Sequence, residues 1–340
     1  MPPPLVKTRY QGSKAKLAPF LAPIFSSLAF DTALDLFSGT ASVSYLLKTL
    51  GKRVHANDLL RANASVARAL VVNDSVRLDT DRAERLFEKR RGAAFRFVSE
   101  TFGGIYFLPE ENAWLDTVAE NIRAVADPFE KSLAEYALFQ ACLKKRPFNL
   151  FHRKNLEIRT RSVTRTFGNK TTWDAPFETH FKAALKEANR AVFDNGKKHV
   201  VTNEDALALE ATADLVYLDP PYMNARGVSV DYLGFYHFLE GLTEIEQWPA
   251  RIDRRRRHLP YQRRESPFFS AKTIVRAFAD LFERHRQSTL VVSYRSDGIP
   301  SLEELKRMLE ALGKRVRVHE AEHKYALAAR ATRELVLVAG

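Results

Sequence analysis

An α/β protein built on an open sheet, with a basic and mainly helical region inserted into it, is the architecture this sequence predicts. Three stretches carry the prediction. Leu215-Val216-Tyr217-Leu218 is a short apolar strand that stops at Asp219-Pro220-Pro221-Tyr222. Two prolines, which lack the ladder N–H, cannot continue a central strand. Ala33-Leu34-Asp35-Leu36 is a second strand, running through Phe37-Ser38-Gly39-Thr40 into a helix marked by Val43, Leu46, Leu47 and Leu50. Val54-His55-Ala56 is a third, ending at Asn57-Asp58. Open α/β sheets bind ligands outside the carboxyl ends of their strands, which is where these polar residues fall.

The bulk properties narrow the partners. The 340 residues, 45% of them hydrophobic, suffice for one large domain or two smaller ones. A net charge of +12 favours an anionic partner, nucleic acid first, although a ribosomal or membrane-surface protein shares that balance. The single cysteine, Cys142, excludes an intrachain disulfide and an all-cysteine metal cluster, and its setting in Phe139-Gln140-Ala141-Cys142-Leu143 is that of a helical core position. No metal-ligand spacing links the nine histidines, so no metal is expected. No apolar run approaches the ~20 residues that span a bilayer. The proline-rich start lacks the layout of a signal peptide, and a soluble cytoplasmic protein is expected.

Taken in order, the chain opens with Lys7-Thr8-Arg9-Tyr10-Gln11-Gly12-Ser13-Lys14 before a helix marked by Leu17, Phe20, Leu21, Ile24 and Phe25. Ser13 suits the cap. A cation at a helix start is mildly disfavoured by the macrodipole, so Lys14 is read as holding a ligand carboxylate. Gly39 lets the chain approach a ligand closely, and the helix that follows offers free amides. No lysine follows the glycine, so this is not a phosphate-binding loop of the Gly-Lys-Ser/Thr kind. With an acid, Asp58, placed for ribose hydroxyls at the end of the next strand, the pair of elements predicts an adenosine-containing cofactor.

From about 76 to 195 the strand–helix rhythm lapses into helical runs, near 81–91, 110–125 and 130–145, and then into a basic ribbon. Arg146, Arg153, Lys154, Arg159, Arg161, Arg165 and Lys170 lie along it, with hydroxyls and aromatics interleaved and Glu157 the only acid between Lys144 and Lys170. Such a ribbon suits phosphate contacts and base-edge reading better than a merely solvated face. Phe167-Gly168-Asn169-Lys170 is read as a turn, of the kind found at hairpin tips. The domain boundaries are therefore drawn as 1–75 and 196–340 for the sheet, and 76–195 for the insertion. Lys198 to Thr202 returns to the sheet, and Asp205-Ala206 beyond it either meets a cofactor adenine or caps the following turn. A second basic segment, Arg251 to Arg264, contains Arg256. A helix over 271–283, a strand at 289–294, a helix over 302–312 capped by Ser301 and Glu304, and two last strands at 316–319 and 335–338 complete the sequence.

Asp219-Pro220-Pro221-Tyr222 resembles the catalytic motif of amino-group DNA methyltransferases, and the assembled pattern resembles the adenine-N6 DNA methyltransferase family over most of the chain. Tyr10 to Lys14 is similar to the family's opening, with tyrosine where tryptophan is often seen. Phe37-Ser38-Gly39-Thr40 is similar to its cofactor loop, with Thr40 where glycine is commoner. Asp58, Asp205-Ala206, Ser293-Tyr294 and His323-Lys324-Tyr325 resemble later motifs. The resemblance implies a Rossmann-like class I sheet of order 3-2-1-4-5-7-6 with strand 7 antiparallel, and an inserted target-recognition domain. It implies S-adenosylmethionine as cofactor, held by Tyr10, Lys14, Asp35, Phe37, Ser38, Gly39, Thr40, Asp58, Asp205 and Ala206. It also implies Asp219, Pro220 and Tyr222 at the reaction centre, acting on an adenine flipped from double-stranded DNA. Arg146-Pro147-Phe148-Asn149-Leu150-Phe151 resembles restriction-modification members, so a cognate restriction endonuclease acting separately is an expected partner, and a monomer or dimer the working unit.

The chemistry fits the motif. An exocyclic amine conjugated to a base is a weak nucleophile, and a carboxylate helped by a backbone carbonyl returns lone-pair density to it; Tyr222 offers a stacking face. His237 is read as packing or DNA contact, because the amine needs no base before it attacks. Cys142 follows no strand-end proline, which disfavours a cytosine carbon-5 enzyme. An RNA or cytosine amino-group enzyme, a small-molecule methyltransferase and an inactive DNA-binding relative remain the alternatives.

Overall fold

A computed structural model describes residues 3, 4, 6, 8–90, 92, 94–161, 170–323 and 332–340. The chain forms two compact units. One comprises Gln11–Ala67, Asn195–Asp231 and Arg264–Gly340; the other comprises Met1–Tyr10, Arg68–Asp194 and Tyr232–Arg263.

The first unit carries a mixed α/β sheet. Its strands are β1 (Thr32–Asp35), β2 (Arg53–Asn57), β3 (Val200–Thr202), β4 (Leu215–Leu218), β5 (Thr289–Arg295), β6 (Val316–His323) and β7 (Thr332–Ala339). They lie in the order β3-β2-β1-β4-β5-β7-β6. The first five are parallel, and β7 runs antiparallel to both of its neighbours. This is the order, and the antiparallel strand, that the resemblance implies. All four residues of β4 are buried, which is why that strand reads as an unbroken apolar run. Successive side chains leave opposite faces. Val216 and Leu218 join Leu290, Val292, Leu335 and Leu337 against Ile274, Phe278 and Leu281 of the 271–284 helix. Tyr217 points the other way, edge-on to Phe25 of the 18–26 helix at 6.0 Å between centroids. Helices thus cover both faces.

The second unit is helical. Asp127 caps the 128–144 helix, its carboxylate accepting from the N–H groups of Phe129 and Glu130 at 2.8 and 2.9 Å, and Pro128 occupies the first turn, where no N–H is needed. Its core is aromatic: Phe102, Tyr106, Phe107, Phe151, Phe238 and Trp248 meet at centroid distances of 4.9 to 5.7 Å. The segment 232–263, which the sequence places with the sheet, belongs to this unit. Its helix Tyr232–Thr243 buries Tyr236, Phe238 and Leu239, and Phe238 stacks on Phe151 with 7° between the rings. The observed turnover points, after Ala67 and Asp194, also differ from the 75/76 and 195/196 boundaries. The turn at 167–170 falls largely outside the described residues.

Candidate active site

The turn after β1 supports the first half of the site. Gly39 has φ +51° and Ala41, which precedes the 42–49 helix, has φ 57°. Two left-handed residues fold the backbone sharply, and at Ala41 this happens despite the steric cost of a Cβ. Ser38 N–H donates to Asn57 O at 2.8 Å, stitching the turn to β2. Asp58 braces it from below: its carboxylate accepts from Gly39 N at 2.8 Å, Leu60 N at 2.9 Å and Asn63 Nδ2 at 3.1 Å. Burial still holds this carboxyl above the ordinary range. The oxygen bonded to Gly39 keeps one further acceptor position.

Two polar atoms beside this turn are buried and have no hydrogen-bond partner among the described residues: Asp35 Oδ1 and Ser38 Oγ. The other oxygen of Asp35 accepts from Ser44 Oγ at 2.6 Å. Burial pushes the Asp35 carboxyl up to about 7; the Ser44 bond opposes this, and the negative charges of Asp219 and Asp58 add to it. Thr40, Ser42 and Ser13 form a hydroxyl cluster with contacts of 2.7 to 3.2 Å. Phe37 packs edge-on to Phe268 at 5.7 Å. Asp205 is exposed and accepts from Leu207 N at 3.0 Å, and Ala206 is buried in the turn it starts.

Asp219 ends β4, with its side chain 18% exposed. Lys14 Nζ lies 2.9 Å from its Oδ1 and 3.0 Å from Oε1 of Glu334, a fully buried residue of β7. Ser293 Oγ donates to the same Glu334 oxygen at 2.5 Å. Sequence reasoning gave Lys14 a ligand carboxylate; the carboxylates it meets here belong to the chain. Among the described residues no group hydrogen-bonds to Asp219 Oδ2, and no backbone N–H donates to the Pro220 carbonyl. Burial raises the Asp219 carboxyl to about 6, Lys14 working against the rise and Glu334 with it. Tyr222 is nearly buried, with the Arg295 guanidinium 4.7 Å over its ring and Asp297 gripping that guanidinium at 2.6 and 2.8 Å. Glu334 and Arg295 were missed from the sequence. An acid opening the apolar run Leu335-Val336-Leu337-Val338 was visible, but nothing in it named Lys14 as the partner.

The model of D12 class N6 adenine-specific DNA methyltransferases matches residues 10–287. The chain belongs to this family. Among its relatives, the type II methyltransferase M2.HphI of Haemophilus parahaemolyticus is 30% identical over 335 residues, covering 95% of this chain and 93% of the relative. The type II methyltransferase M.NlaIII of Neisseria lactamica is 26% identical, covering 90% of this chain and 88% of the relative. The type II methyltransferase M.FokI of Planomicrobium okeanokoites is 25% identical over 90% of this chain, which spans 47% of that longer protein. As a D12 methyltransferase the protein is a site-specific, S-adenosylmethionine-dependent enzyme that methylates adenine N6 in DNA. The residues around the glycine turn fit that cofactor: a carboxyl oxygen of Asp35 and the hydroxyl of Ser38 stand buried beside it with no hydrogen-bond partner among the described residues.

The basic residues divide. Arg153, Lys154, Arg161 and Arg256 are exposed. Lys170 is exposed and paired with Asp174 at 2.5 Å, while Arg165 and Lys324 lie outside the described residues. Two assignments are corrected. Arg146 is buried, and its guanidinium donates to the carbonyls of Leu150, Tyr106 and Arg153 while lying 4.5 Å over the Tyr106 ring. Arg159 is buried too, its two terminal nitrogens on Glu111 at 2.8 and 2.7 Å and one of them on the Trp173 carbonyl; Lys145 reaches the same glutamate at 2.6 Å. Both guanidiniums are thus buried and turned to acceptors inside the unit, and of their nitrogens Nε of Arg159 is buried without a partner among the described residues. Arg146 instead holds the turn at Phe148 and Asn149, both at positive φ, with Phe148 56% exposed. His237 is fully buried, bonded to Tyr106 and the Phe151 carbonyl, and burial lowers it to about 3, so it is neutral packing and not a base. On this account Arg159→Ala lowers folding stability by about 3 kcal/mol, because part of a buried charge cluster loses its partner. Urea unfolding of the DNA-free protein measures it, and unchanged stability would return Arg159 to the DNA-facing set.

Proposed function

We propose that Asp219, Pro220 and Tyr222 carry the methyl transfer, on an adenine turned out of double-stranded DNA, and that the chain is the modification member of a restriction-modification system with a separate cognate endonuclease. The observation that carries the first part is the state of Asp219. One carboxylate oxygen is fixed by Lys14, while the other, together with the Pro220 carbonyl, is left for a donor at the end of β4. An exocyclic amine has two N–H groups to give to two such acceptors. Accepting both draws lone-pair density back onto nitrogen and orients it, so the gain is one of positioning and electrostatics without a covalent enzyme intermediate. Tyr222, held from behind by Arg295, supplies the stacking surface. When bound, S-adenosylmethionine would supply an electrophilic methyl group, the electron pair of its carbon–sulfur bond staying on sulfur as the oriented amine takes the methyl. The surplus amine proton leaves afterwards, to Asp219 or to water.

Gly39, Ser38, Asp35 and Asp58 are the residues we assign to the cofactor, together with Phe37, Thr40, Asp205 and Ala206 of the same unit. Tyr10 stacks on Tyr236 at 3.8 Å, and Lys14 is better assigned to Asp219. The exposed cations Arg153, Lys154, Arg161 and Arg256 are proposed to meet phosphates, and the target-reading role is assigned to the helical unit. The names of the relatives, type II methyltransferases and modification methylases, support the restriction-modification setting.

Asp219→Ala is expected to lose at least about 100-fold in turnover while still binding S-adenosylmethionine, since the contact it loses is to the target amine. Tritium transfer to unmethylated DNA, together with calorimetric cofactor binding, measures both, and near-normal turnover would remove Asp219 from the chemistry. Asp35 gives a second expectation. Its carboxyl is neutral below about 7, and a cationic cofactor beside it favours the anion, so binding releases a proton and cofactor affinity rises as pH climbs through that value. Calorimetry in buffers of different ionisation enthalpy reads the release, which Asp35→Asn should abolish; no proton release near neutrality would place the cation elsewhere.

A further inference from the structure

We infer that Glu334 is a positioning residue for methyl transfer: anchored by Ser293, it holds Lys14 between two carboxylates, so that the lysine orients Asp219 without neutralising it. The inference rests on Asp219 being the acceptor of the target amine.

The geometry is a short chain of contacts. Ser293 Oγ donates to Glu334 Oε1 at 2.5 Å, Lys14 Nζ lies 3.0 Å from that same oxygen, and Lys14 Nζ reaches Asp219 Oδ1 at 2.9 Å. Ser293 sits on β5 and Glu334 on β7, where Ser293 pairs with Val336 two residues further on, so both are fixed by adjacent, hydrogen-bonded strands. Glu334 and Ser293 are fully buried and Lys14 is nearly so. A carboxylate survives in such a place only if it is paired and hydrogen-bonded. Here Lys14, one of its partners, also holds the proposed catalytic acid.

An ammonium carries three N–H donors and one positive charge. Shared between two carboxylates, that charge leaves the cluster with a net negative charge, and Asp219 keeps lone-pair density for an incoming amine. With Glu334 made neutral, the whole charge of Lys14 falls on Asp219. The pair tightens, and the acceptor strength needed by the amine is spent on the lysine. Among the described residues, the other charged or titratable groups around Asp219 are Asp35 from β1, Tyr217 within β4, and Tyr222 with Arg295 of β5 over its ring. Glu334 raises the proton affinity of Asp219 and Lys14 lowers it. Removing the glutamate charge therefore stabilises the Asp219 anion and moves the acid limb of the rate profile to lower pH.

The test is single-turnover transfer of tritiated methyl groups from S-adenosylmethionine to unmethylated plasmid DNA by the full chain, across the pH range. Glu334→Gln should lower the rate constant at neutral pH roughly 10- to 100-fold, the size of a small misplacement at the reacting centre. Its acid limb should move down by about one pH unit, as loss of a nearby like charge requires. Cofactor affinity should stay close to normal, and Glu334→Asp should recover part of the rate and return the limb. Ser293→Ala, a milder change that loosens only the anchor, should move rate and limb in the same directions by less, and it decides the matter if Glu334→Gln does not fold. A Glu334→Gln or Ser293→Ala protein that binds cofactor and keeps the normal rate and acid limb overturns the inference, as does lost stability with an unmoved limb. If Asp219→Ala is inactive while these variants are normal, only the role of Glu334 fails; if Asp219→Ala turns over normally, the underlying reading fails.

Discussion

The proposed chemistry depends on the ammonium of Lys14, placed 2.9 Å from one carboxylate and 3.0 Å from another. Two acids are brought together at strand ends of a sheet that otherwise buries apolar side chains. Burial alone would drive the Asp219 carboxyl toward its neutral form. A neutral Asp219 has one oxygen committed as a donor and is a poor acceptor for an amine. The lysine offsets that tendency, and the residual rise of Asp219 to about 6 shows that the compensation is incomplete. Such an acid is anionic at neutral pH yet binds a proton readily, which suits a group that must first orient an N–H and then let its proton go.

The sheet makes this possible through its order. β1 and β4 are adjacent and parallel, so Asp35 and Asp219 leave their carboxyl ends side by side, and β2 beyond β1 brings up Asp58. β7 is antiparallel, and so it delivers Glu334 near its start to the same edge at which β5 ends with Arg295. The turn proposed to hold the cofactor and the acid proposed to accept the amine are therefore consequences of one topology. The charge coupling between Asp35 and Asp219 follows from the same adjacency.

How much of this could be read beforehand depended on whether the signal was local. Asp219-Pro220-Pro221-Tyr222 was legible because prolines state where a strand must stop. Ser301 and Glu304 were legible because a capping box is written within four residues, and both of its bonds are present. The 232–243 helix, drawn with the sheet by the boundary at 196, packs in the helical unit, where its Phe238 meets Phe102 and Phe151. A helix apolar on most sides can enter either of two cores, and only the rings of Phe102 and Phe151 decide which. Arg146 and Arg159 looked like the centre of a phosphate-binding ribbon because a sequence shows charge without showing its partner. Glu111, 48 residues before Arg159, claims one guanidinium, and backbone carbonyls claim the other. Glu334 was invisible for the same reason, its partner lying 320 residues earlier in the chain.

Burying part of the ribbon sharpens what the rest of it is for. Arg146 and Arg159 spend their charge inside the helical unit, which leaves Phe148 and the cations Arg153, Lys154 and Arg161 as the exposed part of the ribbon among the described residues. The central claim, that Asp219 accepts the target amine, is tested most directly by a crystal structure of the protein with a recognised DNA duplex and S-adenosylhomocysteine. The account predicts a flipped adenine whose N6 lies within hydrogen-bond reach, about 2.6 to 3.2 Å, of Asp219 Oδ2 and the Pro220 carbonyl, with Lys14 still on Oδ1. An adenine amine held by other groups, with both Asp219 oxygens turned away from it, would contradict the account.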